Sequence, residues 1–373
     1  MIYFFLHLAH NRAQSASRKL LKIDYIGNLV LSGSTVSVLY ALSYGGTTYM
    51  WSDGRIISSL VIGLLGFVLF SWYETTSENP VVPPSLFQDL TAVIIFIAVF
   101  FNSLLLYWFL FFLPLYFQAV LGDSGARAGV LLLPAILFGI PGAMVAVLLL
   151  SKTGKYKLIH VLGFAVTVLG CGLFSLLDEN TSLAKVVIFQ AVSAAGGGMV
   201  LNTLLPAVQA QLPESQQAAV TATFAYMRSL GSIWGVSIPG SIFSNRFARL
   251  LEQGVSDTNV RAQFEGGSRA YEHGYAIFIQ ALPEPAQSQV IGVYVRSLRF
   301  MWLIAIAFAG VNFAIVFFEK QTMLRTELDT EFGMERKKKS NVKLGTKEVR
   351  GKNRDGEMSG ASDDVTTPVV GRV

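Results

Sequence analysis

Charge is scarce in this sequence: Asp, Glu, Lys and Arg make up 14% of its 373 residues, where a soluble chain carries about a quarter. So few charges cannot cover a large water-soluble surface. Cysteine is scarcer still. Cys171 stands alone, inside an apolar stretch, which excludes an intrachain disulfide framework and a cysteine-based zinc site. Catalytic constellations are missing too. There is no His-Glu-x-x-His pair, and no glycine-rich loop runs into Lys-Ser or Lys-Thr to cradle phosphate. His160 sits at the start of an apolar segment and His273 in a connection. The sequence thus points away from an enzyme or an ATP-driven pump, and no metal or cofactor is expected.

What is abundant is apolar surface. Hydrophobic residues make up 52% of the chain and the mean hydropathy is +0.51, which places it in the membrane class. A helix needs about 20 mostly apolar residues to cross the hydrocarbon core. Eight segments meet that need: Tyr25–Tyr44, Ile56–Tyr73, Ala92–Phe117, Ala128–Leu150, Leu158–Leu177, Val186–Gln209, Ala218–Phe243 and Val290–Phe318. The expected fold is an all-α polytopic bundle. Pro114, Pro134, Pro141, Pro239 and the run Gly196 to Gly198 fall inside these segments. Membrane bundles tolerate them, because neighbouring helices re-satisfy the freed backbone groups.

The formal charge is +5, and its distribution reads as membrane orientation rather than nucleic-acid binding. Arg12, Arg18, Lys19 and Lys22 precede the first segment. Lys152, Lys155 and Lys157 follow the fourth, and Arg336 to Lys339 follow the eighth. An even number of crossings puts all three groups on one side, expected to be the cytosol. The opposite connections are poor in Lys and Arg except Ser244–Gln289, which carries Arg246, Arg249, Arg261 and Arg269 among several acids. The connection Glu74–Thr91 has neither Lys nor Arg. Met1–Ala9 is too short to span and lacks the basic lead of a signal peptide. From Glu319 the chain turns polar. Residues Glu319–Phe332 are expected to extend the last helix briefly, and the remainder reads as disordered.

Asp24-x-x-Gly27, Ala41-Leu-Ser-Tyr-Gly-Gly46 and Tyr49-Met-Trp-Ser-Asp-Gly-Arg55 open an ordered series of motifs. Phe112-Leu-Pro-Leu-Tyr-Phe-Gln118, Ala128-Gly-Val-Leu-Leu-Leu-Pro134, Gln209-Ala-Gln-Leu-Pro213, Arg228-Ser-Leu-Gly-Ser-Ile-Trp-Gly235 and Leu324-Arg-Thr-Glu-Leu-Asp-Thr-Glu-Phe-Gly333 continue it. Over roughly residues 2–335 the chain resembles the fourteen-span drug:proton antiporters of the major facilitator superfamily, especially the fungal members. Such proteins have six helices, two linker helices and six more. The resemblance therefore implies a partial major facilitator fold. Residues 1–24 would be a cytosolic arm, 25–73 the linker pair, 74–91 a cytosolic connection, 92–318 the C-terminal six-helix half and 319–373 a cytosolic tail. Ile2–Leu8 is similar to the end of the sixth helix, so the N-terminal half and its motifs are expected to be missing.

Arg228 is the sharpest candidate residue. It lies about 16 Å into its segment at 1.5 Å per residue, near the midplane. A charge there costs about 2.5–3.5 kcal/mol on insertion scales, so it should face protein or water. Two readings stand: a substrate or gating contact, or a clamp on helix carbonyls. No Asp or Glu lies inside the eight segments. Asn102, Gln118, Asn202 and Gln209 could bond a substrate or bridge helices, and Gln190 reads as interhelical glue. Asn202 and Gln209 are two helical turns apart and should share a face. Tyr107, Trp108, Tyr116, Tyr226 and Trp234 could line a pocket or pack against lipid. Gly196, Gly197, Gly198, Gly231 and Gly235 suggest close helix approach. Asp24 reads as a helix cap. Ser151-Lys-Thr-Gly-Lys-Tyr-Lys157 is similar to a degenerate family loop signature, and reads more simply as positive-inside anchoring.

The resemblance implies a secondary transporter that exports small amphipathic compounds, drugs or secondary metabolites, in exchange for protons. Its partners would be a small-molecule substrate, membrane lipid and protons, with no nucleic acid. Siderophores and basic amino acids are alternative substrates, and a non-transporting remnant is the alternative from another class. The expected location is the plasma membrane, or else the vacuolar membrane.

Overall fold

The computed structural model describes residues 24–322, apart from 47, 78, 79, 265, 266 and 268. The basic N-terminal arm, Ile2–Leu8, the Leu324–Gly333 motif, Arg336 to Lys339 and the remainder of the tail lie outside the described residues.

The described residues are mostly helical and contain no strand. In order, the helices are α1 (Tyr25–Tyr44), α2 (Gly54–Thr76), α3 (Leu90–Ala119), α4 (Gly125–Leu131), α5 (Leu133–Thr153) and α6 (Tyr156–Phe174). There follow α7 (Leu183–Leu201), α8 (Leu204–Gln211), α9 (Gln217–Gly254), α10 (Thr258–Gln263), α11 (Ala276–Gln280) and α12 (Ala286–Val316). Side-chain caps set several starts. Asp24, Asp53, Asp89 and Ser124 each accept a hydrogen bond from a backbone N–H in the first turn of α1, α2, α3 and α4, which satisfies donors that a helix start leaves open. Asp24 is therefore the cap that the sequence suggested. At the other end, Gly154 closes α5 in the left-handed conformation, φ 64°, where a side chain would be strained.

Among the described residues, seven helical stretches are long and apolar enough to cross a membrane, with α4–α5 and α7–α8 each counting as one. The remaining expected segment, Ala218–Phe243, lies in α9. That helix is helical throughout but longer than expected, 38 residues, or about 57 Å. Its apolar part falls short of the others in hydropathy because Arg228 and many serines, threonines and glycines dilute it, and the helix runs on through Arg246, Arg249 and Glu252 to Gly254. Two expected segments are broken: one at Leu132 before Pro134, the other at Asn202–Thr203 before Pro206.

The crossings alternate. The near face, for convenience, is the one that carries the α5–α6 turn. Here Lys320 donates to Thr91 at the start of α3, and Gln211 at the end of α8 donates to Tyr156 at the start of α6. On the far face, Asn245 of α9 donates to the carbonyl of Gly45 past α1, and Arg299 of α12 donates to Ser175 past α6. The strongest pairings are α5 with α7, α3 with α9, α6 with α7, and α1 with α2; α12 packs on α3, α6 and α9. The α1–α2 hairpin leans on α9.

One core cluster, around Trp108, Phe112, Phe174, Phe243, Phe247, Tyr294 and Trp302, fills the far-face side. Another, around Phe96, Tyr156, Phe164 and Val208, fills the near-face side. The far-face cluster changes the reading of Ser244–Gln289. It is not an open connection. The end of α9, α10, α11 and the start of α12 close on an aromatic nest, with Phe247 4.7 Å from Tyr294 and 5.3 Å from Phe264, centroid to centroid. The Tyr294 hydroxyl donates to Ala270 at 2.6 Å. The brief helical extension expected from Glu319 is also corrected: Glu319–Thr322 is not helical, because its groups bond to α3, α6 and α8 instead.

Candidate translocation site

A cavity of about 300 Å³ lies between α3, α5, α6 and α7. Its walls are mostly apolar: Leu105, Phe109, Ile136 and Phe174 are among them. A few uncharged polar groups interrupt them, namely Asn102, Thr167, Gln190, Ser193 and Asn202. Apolar walls with a few placed polar groups are the usual composition of a small-molecule pocket. No charged side chain lines it.

Asn102 and Asn202 are thus brought together by the fold. Gln190 has a double position. Its Nε2 donates to the Leu131 carbonyl at 2.9 Å, which is interhelical bonding, while its buried Oε1 has no partner and its side chain lines the cavity. Ser193 Oγ is likewise buried and unpartnered. Such groups cost free energy until something bonds to them, so they are places for a ligand hydroxyl or amide.

The remaining candidates sit elsewhere. Gln209 and Asn202 do not share a helix face, because the chain leaves the helix at Asn202–Thr203. Gln209 ends up near α9, bonded to Thr221 at 3.2 Å. Gln118 turns back on the Pro114 carbonyl at 3.4 Å. Tyr107 stacks on Phe111. Trp108 is wholly buried beside Phe308, and Tyr116 donates to the Asp178 carbonyl at 2.8 Å. Tyr226 packs on a small cluster formed by Leu31 of α1, Phe70 of α2 and Val82, and Trp234 on the far-face core. The aromatics that do line the cavity, Phe109 and Phe174, were missed. Nothing in an apolar run distinguishes them before the helices are rotated into place.

The glycines divide. A side chain at Gly231 or Gly235 would meet the carbonyls of Phe100 or Leu104 on α3, and one at Gly198 the Gly139 carbonyl on α5. At Gly196 an added Cβ would lie 2.8 Å from the Gly163 carbonyl on α6. These four are contact points of backbone on backbone. Gly197 is different: nothing lies within 4 Å of an added Cβ, and the residue lines the cavity.

Arg228 is exposed on α9 and lines neither the cavity nor a helix crossing. It forms no hydrogen bond or ion pair with any described residue. The carbonyl clamp foreseen for it is therefore not formed by the described residues. Two acids, by contrast, are buried just where the expected spans stop. Glu74 accepts from the backbone of Val81 and Val82 at 3.2 and 3.0 Å. Glu319 pairs with His160, at 2.9 Å, with both side chains fully buried. The sequence signal was available: each carboxylate is the residue directly after an apolar run.

The chain matches the family model of the Major Facilitator Superfamily over residues 26–236. It is 45% identical to the MFS-type efflux transporter phmH of Phaeosphaeria nodorum, covering 92% of this chain and 60% of the relative. It is 41% identical to the MFS-type transporter TwmF of Talaromyces wortmannii, over 90% and 61%. It is 40% identical to the MFS-type efflux transporter ffsH of Aspergillus flavipes, over 98% and 64%. The chain thus spans about 60% of the length of the curated relatives it matches. A bacterial homologue of the human lysosomal transporter Spinster, inward-facing and occupied, overlaps with a TM-score of 0.48 at 15% identity, over 80% of this chain and 69% of that one. With more than half its length inside the family model, this multi-helix membrane protein belongs to the Major Facilitator Superfamily.

Proposed function

We propose that the chain acts in the export of small, uncharged or weakly charged amphipathic molecules, with the cavity between α3, α5, α6 and α7 as its share of the substrate path. The observation that carries this is the wall chemistry. Asn102, Gln190, Ser193 and Asn202 offer hydrogen bonds, Phe109 and Phe174 offer aromatic faces, and no fixed charge selects a strongly ionic substrate. Relatives named as efflux transporters support the outward direction. In this fold, substrate sits near the midplane and access alternates as bundles rock against each other. Gly231 and Gly235 give α9 a smooth contact with α3, and Gly196 and Gly198 do the same for α7.

Proton coupling belongs to the same proposal. It needs a titratable group inside the protein, and Glu74 and Glu319 are the buried carboxylates among the described residues. The ordered motifs support the fourteen-span fungal branch, with the α1–α2 hairpin as the linker pair and the near face as the cytosolic one. Purified chain in proteoliposomes, loaded with a fluorescent amphipathic dye and given a pH gradient, tests the reading. Gradient-dependent dye movement above that of empty liposomes is expected. No movement, together with no saturable dye binding to the purified chain, would overturn it.

A further inference from the structure

A second cavity, of about 270 Å³, lies on the far-face side between α9, α12 and the α1–α2 loop. It shares no lining residue with the first, and α3 packs against both α9 and α12 between them. Its charged lining is wholly basic. Arg246 and Arg249, one helical turn apart on α9, both line it. Arg246 lies over the Phe300 ring, 4.9 Å from its centroid, and its Nε is buried without a partner. Among the described residues no carboxylate forms an ion pair with either guanidinium. Two cations therefore share a space without a counter-charge from the described residues.

The surroundings are those of a membrane–water interface. Arg299, next to Phe300, donates to Ser175 just past the end of α6, and Asn245, next to Arg246, donates to Gly45 just past the end of α1. Both contacts fix the cavity at the level where the far-face helices end. Trp51 roofs it, its indole N–H donating to Asn245 at 3.2 Å; tryptophan favours this depth. Gly46 makes that roof possible. Its φ is 77°, and a side chain there would run into both Asn245 and Trp51. Ile242, Phe300 and Ile304 supply an apolar wall running towards the bilayer, with Phe300 39% exposed.

From this juxtaposition we propose that the Arg246–Arg249 cavity binds the phosphate of an anionic glycerophospholipid in the far-face leaflet, with the first acyl carbons laid on Phe300, Ile242 and Ile304. A guanidinium fork matches phosphate oxygens in pairs. The volume equals that of about nine waters at roughly 30 Å³ each, enough for a phosphodiester and its glycerol. A zwitterionic choline lipid would bring its own cation towards two arginines, so the site discriminates by net headgroup charge.

The purified full chain, delipidated in detergent, is titrated with phosphatidylglycerol, phosphatidylcholine or inorganic phosphate. Bound lipid is counted by native mass spectrometry. Saturable retention of phosphatidylglycerol is expected, at least tenfold tighter than phosphatidylcholine, with inorganic phosphate a poor competitor. Arg246→Gln with Arg249→Gln should lose that preference. Arg246→Lys with Arg249→Lys, which keeps the charge but not the fork, should fall between. Arg127→Gln, which removes an exposed arginine paired with Asp123 on the same face, should retain it. Equal retention of the two lipids by the unaltered chain would overturn the proposal whatever the variants do. So would unchanged preference in the double glutamine variant. Competition by inorganic phosphate at equal concentration would show an anion site that does not read lipid.

Discussion

His160 Nδ1 lies 2.9 and 3.0 Å from the two carboxylate oxygens of Glu319, with both side chains shut off from solvent. One shared proton joins the ring nitrogen to the carboxylate. The pair fastens the non-helical segment that follows α12 to the second turn of α6. Tyr156, Gln211 and Thr322 surround it with a bonded cluster, and Lys157 Nζ reaches the Phe317 carbonyl at 2.9 Å. Removing one partner strands the other in a dry site, which costs about 3–5 kcal/mol for a buried pair. Glu319→Ala and His160→Ala should each lower the unfolding midpoint of the purified chain by a similar amount, and the double variant by less than their sum. Cys171, the single cysteine, is buried, so a thiol-reactive dye reports unfolding directly. A midpoint that stays put in both single variants would remove the fastening role.

The contact of α9 with α3 gives a sharper comparison. Gly231 and Gly235 meet the carbonyls of Phe100 and Leu104, while Gly240 on the same helix has open space around it. Gly231→Ala or Gly235→Ala must push the two helices apart, at a cost of about 1–3 kcal/mol for overpacking. Gly240→Ala should be neutral or stabilise by up to about 1 kcal/mol, the helix-propensity gain. The same thiol-dye midpoint decides. Equal effects at all three positions would mean that propensity, not contact, governs these glycines.

These glycines show what the sequence can and cannot tell. The spacing Gly231-x-x-x-Gly235 points to a close crossing, and the fold supplies one. Long apolar runs place the helices to within a few residues, apart from the far end of α9, since hydrophobic length and side-chain caps are both local. Rotation about each helix axis is not local. Apolar runs facing lipid on one side and protein on the other carry little amphipathic signal, so Tyr107 and Trp108 could not be told apart from Phe109 as cavity residues. The breaks at Leu132 and Asn202–Thr203 were hinted at by Pro134 and Pro206. Reading through them put Asn202 and Gln209 on one face, which the structure separates. Ser244–Gln289 reads as an open connection for the opposite reason: its charges mask an aromatic nest formed by residues far apart in sequence.

Arg228 is where stability and transport should part. It is exposed and unbonded among the described residues, although its position in the segment puts it near mid-membrane. A side chain without contacts contributes little to the fold, so Arg228→Ala should leave the unfolding midpoint within about 0.5 kcal/mol. If the guanidinium meets substrate or a facing protein surface during transport, dye movement should fall at least tenfold in the same variant. A lowered midpoint with transport in proportion would make Arg228 a packing residue. Arg228→Lys separates charge from fork geometry, because lysine keeps the charge and loses the paired donors.

The cavity itself is tested at Gly197. Its neighbours Gly196 and Gly198 are pressed against α6 and α5, so alanine at either should lower the midpoint. Gly197 faces open cavity instead. Gly197→Phe places a large ring into a space of about 300 Å³ without displacing a helix. It should leave the midpoint within about 0.5 kcal/mol and cut dye binding and movement at least tenfold, whereas Gly197→Ala should change neither. If the phenylalanine variant still binds and moves the dye, the substrate path lies elsewhere in the bundle. If it unfolds the chain, the cavity is packing space rather than a site. The ratio of effects at three consecutive glycines therefore distinguishes a translocation path from an accident of helix packing.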